Sequence, residues 1–155
     1  MYQRILVPLD GSDLAECVLP HVEANAKGSG VREVIFIRVV EPFQRTGGFS
    51  EGTYSEEDIK RINAEKKDAT ESYLSQIVNQ VKYDSVNLKS EALTGKAAEC
   101  IAEYATKNEV ALIVIATHGR SGISRWVWGS VADRILRSAC FPVLMIRAPG
   151  CVPGI

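Results

Sequence analysis

Short apolar runs alternate with amphipathic segments along the whole chain. Residues 5–7, 34–40, 110–116 and 142–146 form apolar runs that predict strands, and the uninterrupted run 110–116 is typical of a central strand buried on both faces of a parallel sheet. Residues 86–92 instead alternate apolar and polar side chains, which predicts a half-exposed strand at a sheet edge. The pattern therefore predicts five strands.

Four segments with helical spacing of apolar residues separate these strands. They cover approximately residues 12–28, 55–81, 96–107 and 130–138. The hydroxyl groups of Ser12 and Ser55 are suited to cap the first two helices. Acidic residues follow each serine in the first turn, where they interact favourably with the positive end of the helix dipole. Pro20 lies inside the first helix and is expected to bend it, because proline removes one backbone donor.

The alternation of strands and helices predicts an α/β fold with a parallel sheet and right-handed crossovers. A chain of 155 residues is long enough for one domain with a proper core. We predict a single domain over residues 1–147. Residues 148–155 contain two prolines and two glycines and are predicted to form an irregular tail.

Composition excludes several classes of protein. The net charge is −1, whereas a nucleic-acid-binding protein needs a basic surface, so no nucleic-acid partner is predicted. No run of about 18 apolar residues is present, which predicts no membrane span. The first residues lack the apolar core and cleavage site of a signal peptide, so we expect a cytoplasmic protein.

Cysteines and histidines are few and scattered. The chain has four cysteines and two histidines, at positions Cys17, Cys100, Cys140, Cys151, His21 and His118. Because none of the cysteines forms a Cys-x-x-Cys pair, no zinc site is predicted. The spacing fits reduced, mostly buried thiols, and for Cys151 an incidental thiol is favoured over a redox role.

Two loops combine polar and glycine residues directly after strong strands. They are residues 8–12, after the first strand, and residues 117–122, after the fourth. If these strands are neighbours, both loops open onto the same crevice, where α/β sheets bind ligands. The second loop leads to Gly129 and Ser130 at a helix start, whose free N–H groups can hold phosphate. Two interpretations stay open for this loop and for Asp10, namely ligand binding and ordinary turn formation.

Four stretches of this sequence resemble the nucleotide-binding branch of the universal stress protein family. They are Ile5-Leu6-Val7-Pro8-Leu9-Asp10-Gly11-Ser12, Ala116-Thr117-His118-Gly119-Arg120-Ser121-Gly122, Gly129-Ser130-Val131-Ala132-Asp133-Arg134-Ile135-Leu136 and Cys140-Phe141-Pro142-Val143-Leu144-Met145-Ile146. The resemblance covers nearly the whole chain. It implies a single doubly wound domain of Rossmann-like, adenine-nucleotide-binding type, whose five-stranded parallel sheet has the order 3-2-1-4-5.

The resemblance also implies a nucleotide site. The residues that match its contacts are Pro8, Leu9, Asp10, Val39, Ala116, His118, Gly119, Arg120, Gly129, Ser130 and Val131. Asp10 matches the acidic residue near the ribose, the phosphates and their Mg or Mn ion, and the Val39 backbone matches the group that reads the adenine edge. Ala116 departs from the family, which has glycine there, and we expect reduced room near the ribose rather than a lost site.

The function implied is that of an ATP-binding stress protein that works as a nucleotide-dependent switch. It would be a homodimer paired through the last strand, Val143 to Ile146, with a protein partner that the sequence does not identify. No catalytic residue is predicted. One alternative is slow ATP hydrolysis, for which Asp10 is the candidate base. Another is a dimeric interaction module that has lost nucleotide binding, which the alanine at position 116 favours.

Overall fold

A five-stranded parallel sheet with the order β3-β2-β1-β4-β5 forms the centre of the protein. The computed structural model describes residues 2–28, 30–44, 54–117, 130–138 and 140–147. The strands are β1 (Arg4–Pro8), β2 (Glu33–Val40), β3 (Asn87–Thr94), β4 (Leu112–Thr117) and β5 (Val143–Arg147). The helices are α1 (Asp13–Glu16), α2 (Leu19–Gly28), α3 (Glu56–Gln80), α4 (Ala97–Lys107) and α5 (Ser130–Ser138). The predicted fold class and strand order are confirmed. The predicted tail from residue 148 lies outside the described residues.

Both faces of the sheet are covered by helices, which explains why β1, β2 and β4 are mostly apolar. Successive side chains of a strand point to opposite faces, so each run feeds two cores. The α1-side core joins one face to α1, α2 and α3 and includes Val7, Phe36, Val114, Ala15, Val22 and Leu74. The α4-side core joins the other face to α4 and α5 and includes Leu6, Ile37, Ile115, Ile101 and Ile135.

The two outer strands differ in exposure from the three inner ones. The side chains of β3 are exposed or half-buried, as the alternating pattern predicted. Those of β5 are half-buried from Val143 to Ile146. The inner strands carry the fully buried side chains, such as Phe36 and Ile113, and so anchor the sheet.

The first helical segment differs from its prediction. It consists of two helices, α1 and α2, separated by a turn at Cys17 and Val18, and not of one bent helix. Pro20 is the second residue of α2, where its missing N–H would have had no partner within the helix. The proline therefore begins a helix here and does not bend one.

Among the residues that the structure describes, no helix combines the length and apolar character needed to cross a bilayer.

Candidate functional site

A cleft of about 370 Å³ opens at the carboxyl ends of β1, β2 and β4. It lies where the strand order reverses, since the chain passes from β1 to β2 on one side and β4 pairs with β1 on the other. Helices α1, α4 and α5 begin beside it. Its lining residues are Pro8, Leu9, Asp10, Leu14, Ala15, Ile37, Arg38, Val39, Ala97, Ile101, Ile115, Ala116, Thr117, Val131 and Ala132. Of these, only Asp10, Arg38 and Thr117 carry polar side chains, so the part of the cleft that the described residues form is largely apolar.

The turn after β1 fixes the carboxylate of Asp10. Its Oδ1 accepts hydrogen bonds from the backbone N of Ser12 at 2.9 Å and from Ser12 Oγ at 2.6 Å. Ser12 Oγ also accepts from the backbone N of Ala15 at 3.2 Å and caps α1. Gly11 lies between them with a φ of +85°, a conformation that glycine adopts without strain. The exposed carboxylate is therefore held in place by its own turn.

Backbone pairing carries β1 one residue further into the cleft. The N–H of Leu9 donates to the carbonyl of Ile37 at 2.8 Å, which extends the β1–β2 ladder past Pro8. Leu9 is only 5% exposed and forms part of the cleft floor. The apolar floor is thus an extension of the sheet and not an independent loop.

Ala116 and the start of α5 complete the opposite part of the cleft. Ala116 is 9% exposed, and its side chain packs in the α1-side core with only a small part of its surface facing the cleft. Thr117 Oγ1 donates to the carbonyl of Ile146 at 3.4 Å and ties the end of β4 to β5. Val131 and Ala132, in the first turn of α5, line the cleft from the side of the α4-side core.

Comparison with known proteins identifies the family. The model of the universal stress protein family matches residues 1–147. The chain belongs to the universal stress protein family. Universal stress protein MJ0531 of Methanocaldococcus jannaschii is 32% identical over 149 residues, which cover 96% of this chain and 84% of that protein.

Solved structures of family members share the fold. Universal stress protein UspA from Lactobacillus plantarum superposes with a TM-score of 0.73 at 24% identity, covering 94% of this chain and 98% of that one. The universal stress protein from Archaeoglobus fulgidus in complex with dAMP has a TM-score of 0.59 at 27% identity, covering 94% of this chain and 98% of that one.

This universal stress protein brings together most of the predicted site residues that the structure describes. Six of them line the cleft, namely Pro8, Leu9, Asp10, Val39, Ala116 and Val131. Ser130 is the first residue of α5, next to Val131, as its place at a helix start predicted. The other four lie outside the described residues, namely His118, Gly119, Arg120 and Gly129. The position of the seven is observed, and their contact with a nucleotide stays a prediction.

Sequence reasoning missed Arg38 and the residues that α1 and α4 contribute to the cleft. Ala97 and Ile101 reach it from the first turns of α4, and Leu14 from α1. Nothing in the local sequence marks these apolar side chains, because only the crossover geometry brings them to the sheet's carboxyl edge. Arg38 did carry a signal, since it is the one charged residue within the apolar run 34–40.

Cys17 and Cys100 are not activated thiols. Cys17, Cys100 and Cys140 are all free. Burial raises the pKa of both Cys17 and Cys100, which keeps these thiols protonated at neutral pH. None of the three lines the cleft. Cys151 lies outside the described residues.

Proposed function

We propose that this protein binds ATP with Mg or Mn in the cleft and acts as a nucleotide-dependent switch in the stress response of the cytoplasm. The observation that carries the proposal is the meeting of three features at one cleft: apolar walls, the Asp10 carboxylate and the start of α5. The family relative from Archaeoglobus fulgidus, whose solved structure contains dAMP, supports an adenine nucleotide as the ligand.

Each part of the cleft suits one part of such a ligand. The apolar side chains of Leu9, Val39 and Ile101 can cover a purine ring. The Asp10 carboxylate can accept from ribose hydroxyls or approach the divalent ion on the phosphates. The first N–H groups of α5 have no partner within the helix, and the dipole of the helix favours negative oxygens there.

The proposal is tested by calorimetric titration of ATP with Mg²⁺ into the wild-type protein and into a variant that adds a negative charge to the cleft. Ala97 is half-buried and lines the cleft, whereas Ala102 is half-buried on the same helix and does not. Ala97→Glu is expected to weaken ATP binding by about fivefold, because a carboxylate that loses water beside the bound ligand costs about 1 kcal/mol or more. Ala102→Glu is the matched control and should bind like the wild type.

Three results would count against the proposal. Absence of ATP binding by the wild-type protein would favour the interaction module without nucleotide. Equal effects of the two glutamates would place the ligand elsewhere. Steady phosphate release that is lost in Asp10→Ala would favour an ATP hydrolase over a switch.

The proposed assembly is a homodimer paired through β5. Among the described strands, this one is bonded only to β4 and stands at the edge of the sheet, and its half-buried apolar residues suit association of two edges. Met145 on β5 and Leu93 on β3 both pack at the margin of the α4-side core, but on opposite edges. Met145→Lys is expected to give monomers in sedimentation experiments and Leu93→Lys to remain dimeric. A wild-type monomer, or the same shift in both variants, would contradict the proposed interface.

A further inference from the structure

Arg38 is an unusual residue for its position in β2. It interrupts a run of apolar residues, and its strand neighbours Phe36 and Ile37 are fully buried. Alternation along the strand puts Arg38 on the same face as Phe36, towards α1 and α3. The side chain is half-buried and lines the cleft. A charge in such a place needs specific partners.

One partner is the turn that carries Asp10. The guanidinium lies against Gly11, so that an ideal Cβ built there would come within 2.6 Å of Arg38 Nη1 and 2.8 Å of Arg38 Cζ. The guanidinium therefore fills the space where a side chain at position 11 would stand. The φ of +85° favours glycine here, and any larger residue would also have to displace the guanidinium of Arg38.

The other partner is a tyrosine of α3. Arg38 Cζ lies 5.3 Å from the centroid of the Tyr73 ring, within the range of a cation–π contact. Tyr73 Oη donates a hydrogen bond to Glu16 Oε1 of α1 at 3.0 Å, which fixes the ring between the two helices. Burial, and then this hydrogen bond, raise the pKa of Tyr73, so the phenol remains a donor across the neutral range. The guanidinium thus lies near an aromatic ring that a hydrogen bond ties to α1.

We infer that Arg38 is a positioning residue, which holds the Asp10–Ser12 turn in the conformation that presents the Asp10 carboxylate to the nucleotide. The guanidinium lies against Gly11 and within cation–π range of the Tyr73 ring, and this pair of contacts, the clamp, favours the observed conformation of the turn. The inference rests on the proposed function for its ligand. The clamp itself can be measured without one.

A double-mutant cycle measures the effect on binding. MgATP is titrated calorimetrically into the wild type, Arg38→Met, Asp10→Asn and the double variant. Arg38→Met keeps an apolar stem of similar reach and removes the guanidinium, and we expect about fivefold weaker binding. If Arg38 acts through Asp10, the double variant binds no more weakly than Asp10→Asn alone. Additive losses would overturn the inference and indicate direct contact of Arg38 with the phosphates.

Arg38→Lys separates the shape of the group from its charge. Lysine keeps the positive charge but lacks the planar group that lies between Gly11 and Tyr73. We expect it to bind MgATP as weakly as Arg38→Met. Full recovery of affinity would mean that charge alone matters, and the positioning role would be wrong.

Hydrogen exchange tests the clamp in the protein without nucleotide. The amide of Ser12, which donates to Asp10, should exchange about fivefold faster in Arg38→Met, because the turn opens more often. The amide of Ser55 also donates to a nearby carboxylate, that of Asp58, and should be unchanged. Unchanged exchange at Ser12 would overturn the inference even if ATP binds. Faster exchange in a protein that binds no ATP would contradict the proposed function and leave the clamp intact.

Discussion

Ser12 and Ser55 provide a matched pair for separating the stability of the protein from the integrity of its cleft. Each is a helix N-cap whose Oγ accepts from the N–H three residues later, at 3.2 Å for Ser12 and 3.1 Å for Ser55. The Oγ of each also donates to a carboxylate, at 2.6 Å to Asp10 and at 2.9 Å to Asp58. Only the carboxylate beside Ser12 lines the cleft. Replacing each serine by alanine therefore removes the same local bonds in two different places.

The expected magnitudes follow from these bonds. Loss of a serine cap costs about 1 kcal/mol, which lowers the melting temperature of a chain of this size by about 2–4 °C. We expect this fall in both variants. Ser12→Ala also removes the hydrogen bond from Ser12 Oγ that helps to orient Asp10 Oδ1, while the bond from the Ser12 backbone N remains. For an exposed carboxylate we expect about fivefold weaker binding of MgATP.

Two measurements on each variant decide the matter. Thermal unfolding gives the stability, and calorimetric titration with MgATP gives the affinity. Equal loss of stability with loss of affinity only in Ser12→Ala is the expected result. The reasoning is refuted if Ser12→Ala loses stability but binds MgATP as tightly as Ser55→Ala. In that case the orientation of the Asp10 carboxylate would have no part in binding.

Two further substitutions have defined outcomes. Ala116→Gly introduces the glycine that the family resemblance implies and removes a methyl group from the cleft lining; we expect tighter ATP binding by calorimetry, with a loss of about 0.5–1 kcal/mol in stability because glycine weakens a strand. Unchanged affinity would show that the methyl group does not limit the site. The hydrogen bond from Lys89, chiefly, lowers the pKa of Glu33 below its ordinary value of 4.5. The ionised Glu33 carboxylate therefore stabilises the folded state fully above pH 4.5, and this stabilisation is lost as the pH falls through the lowered pKa. The melting temperature of Glu33→Gln should be lower than that of the wild type at neutral pH, and the two should converge in acid. A difference in melting temperature that stays constant with pH would contradict this.

Much of the fold could be predicted because burial leaves a direct mark on sequence. The inner strands appear as continuous apolar runs since both faces are covered, and β3 alternates since it is an edge. The order of the strands could not come from these patterns, because periodicity describes one strand at a time. It came from the family resemblance. The division between α1 and α2 was missed because Pro20 can either bend a helix or begin one, and only the turn at Cys17 and Val18 decides.

The candidate site was predictable where the chain itself leads into it. Pro8, Leu9 and Asp10 directly follow a buried strand, so their place at the carboxyl edge follows from the fold class. Arg38 and Ala97 could not be placed in this way. The direction of the Arg38 side chain depends on the register of β2 against β1, and Ala97 reaches the cleft through the crossover from β3. Both placements depend on tertiary structure and not on the local sequence.

The two interpretations of Asp10, as a turn residue and as a ligand group, are not exclusive in this geometry. A free aspartate side chain samples several rotamers and must give up that freedom on binding. The bonds from Ser12 remove much of this freedom when the chain folds, so that part of the entropy cost is not incurred again when a ligand arrives. The turn therefore favours binding because it is a stable turn, and Gly11 is the residue that permits its backbone to form.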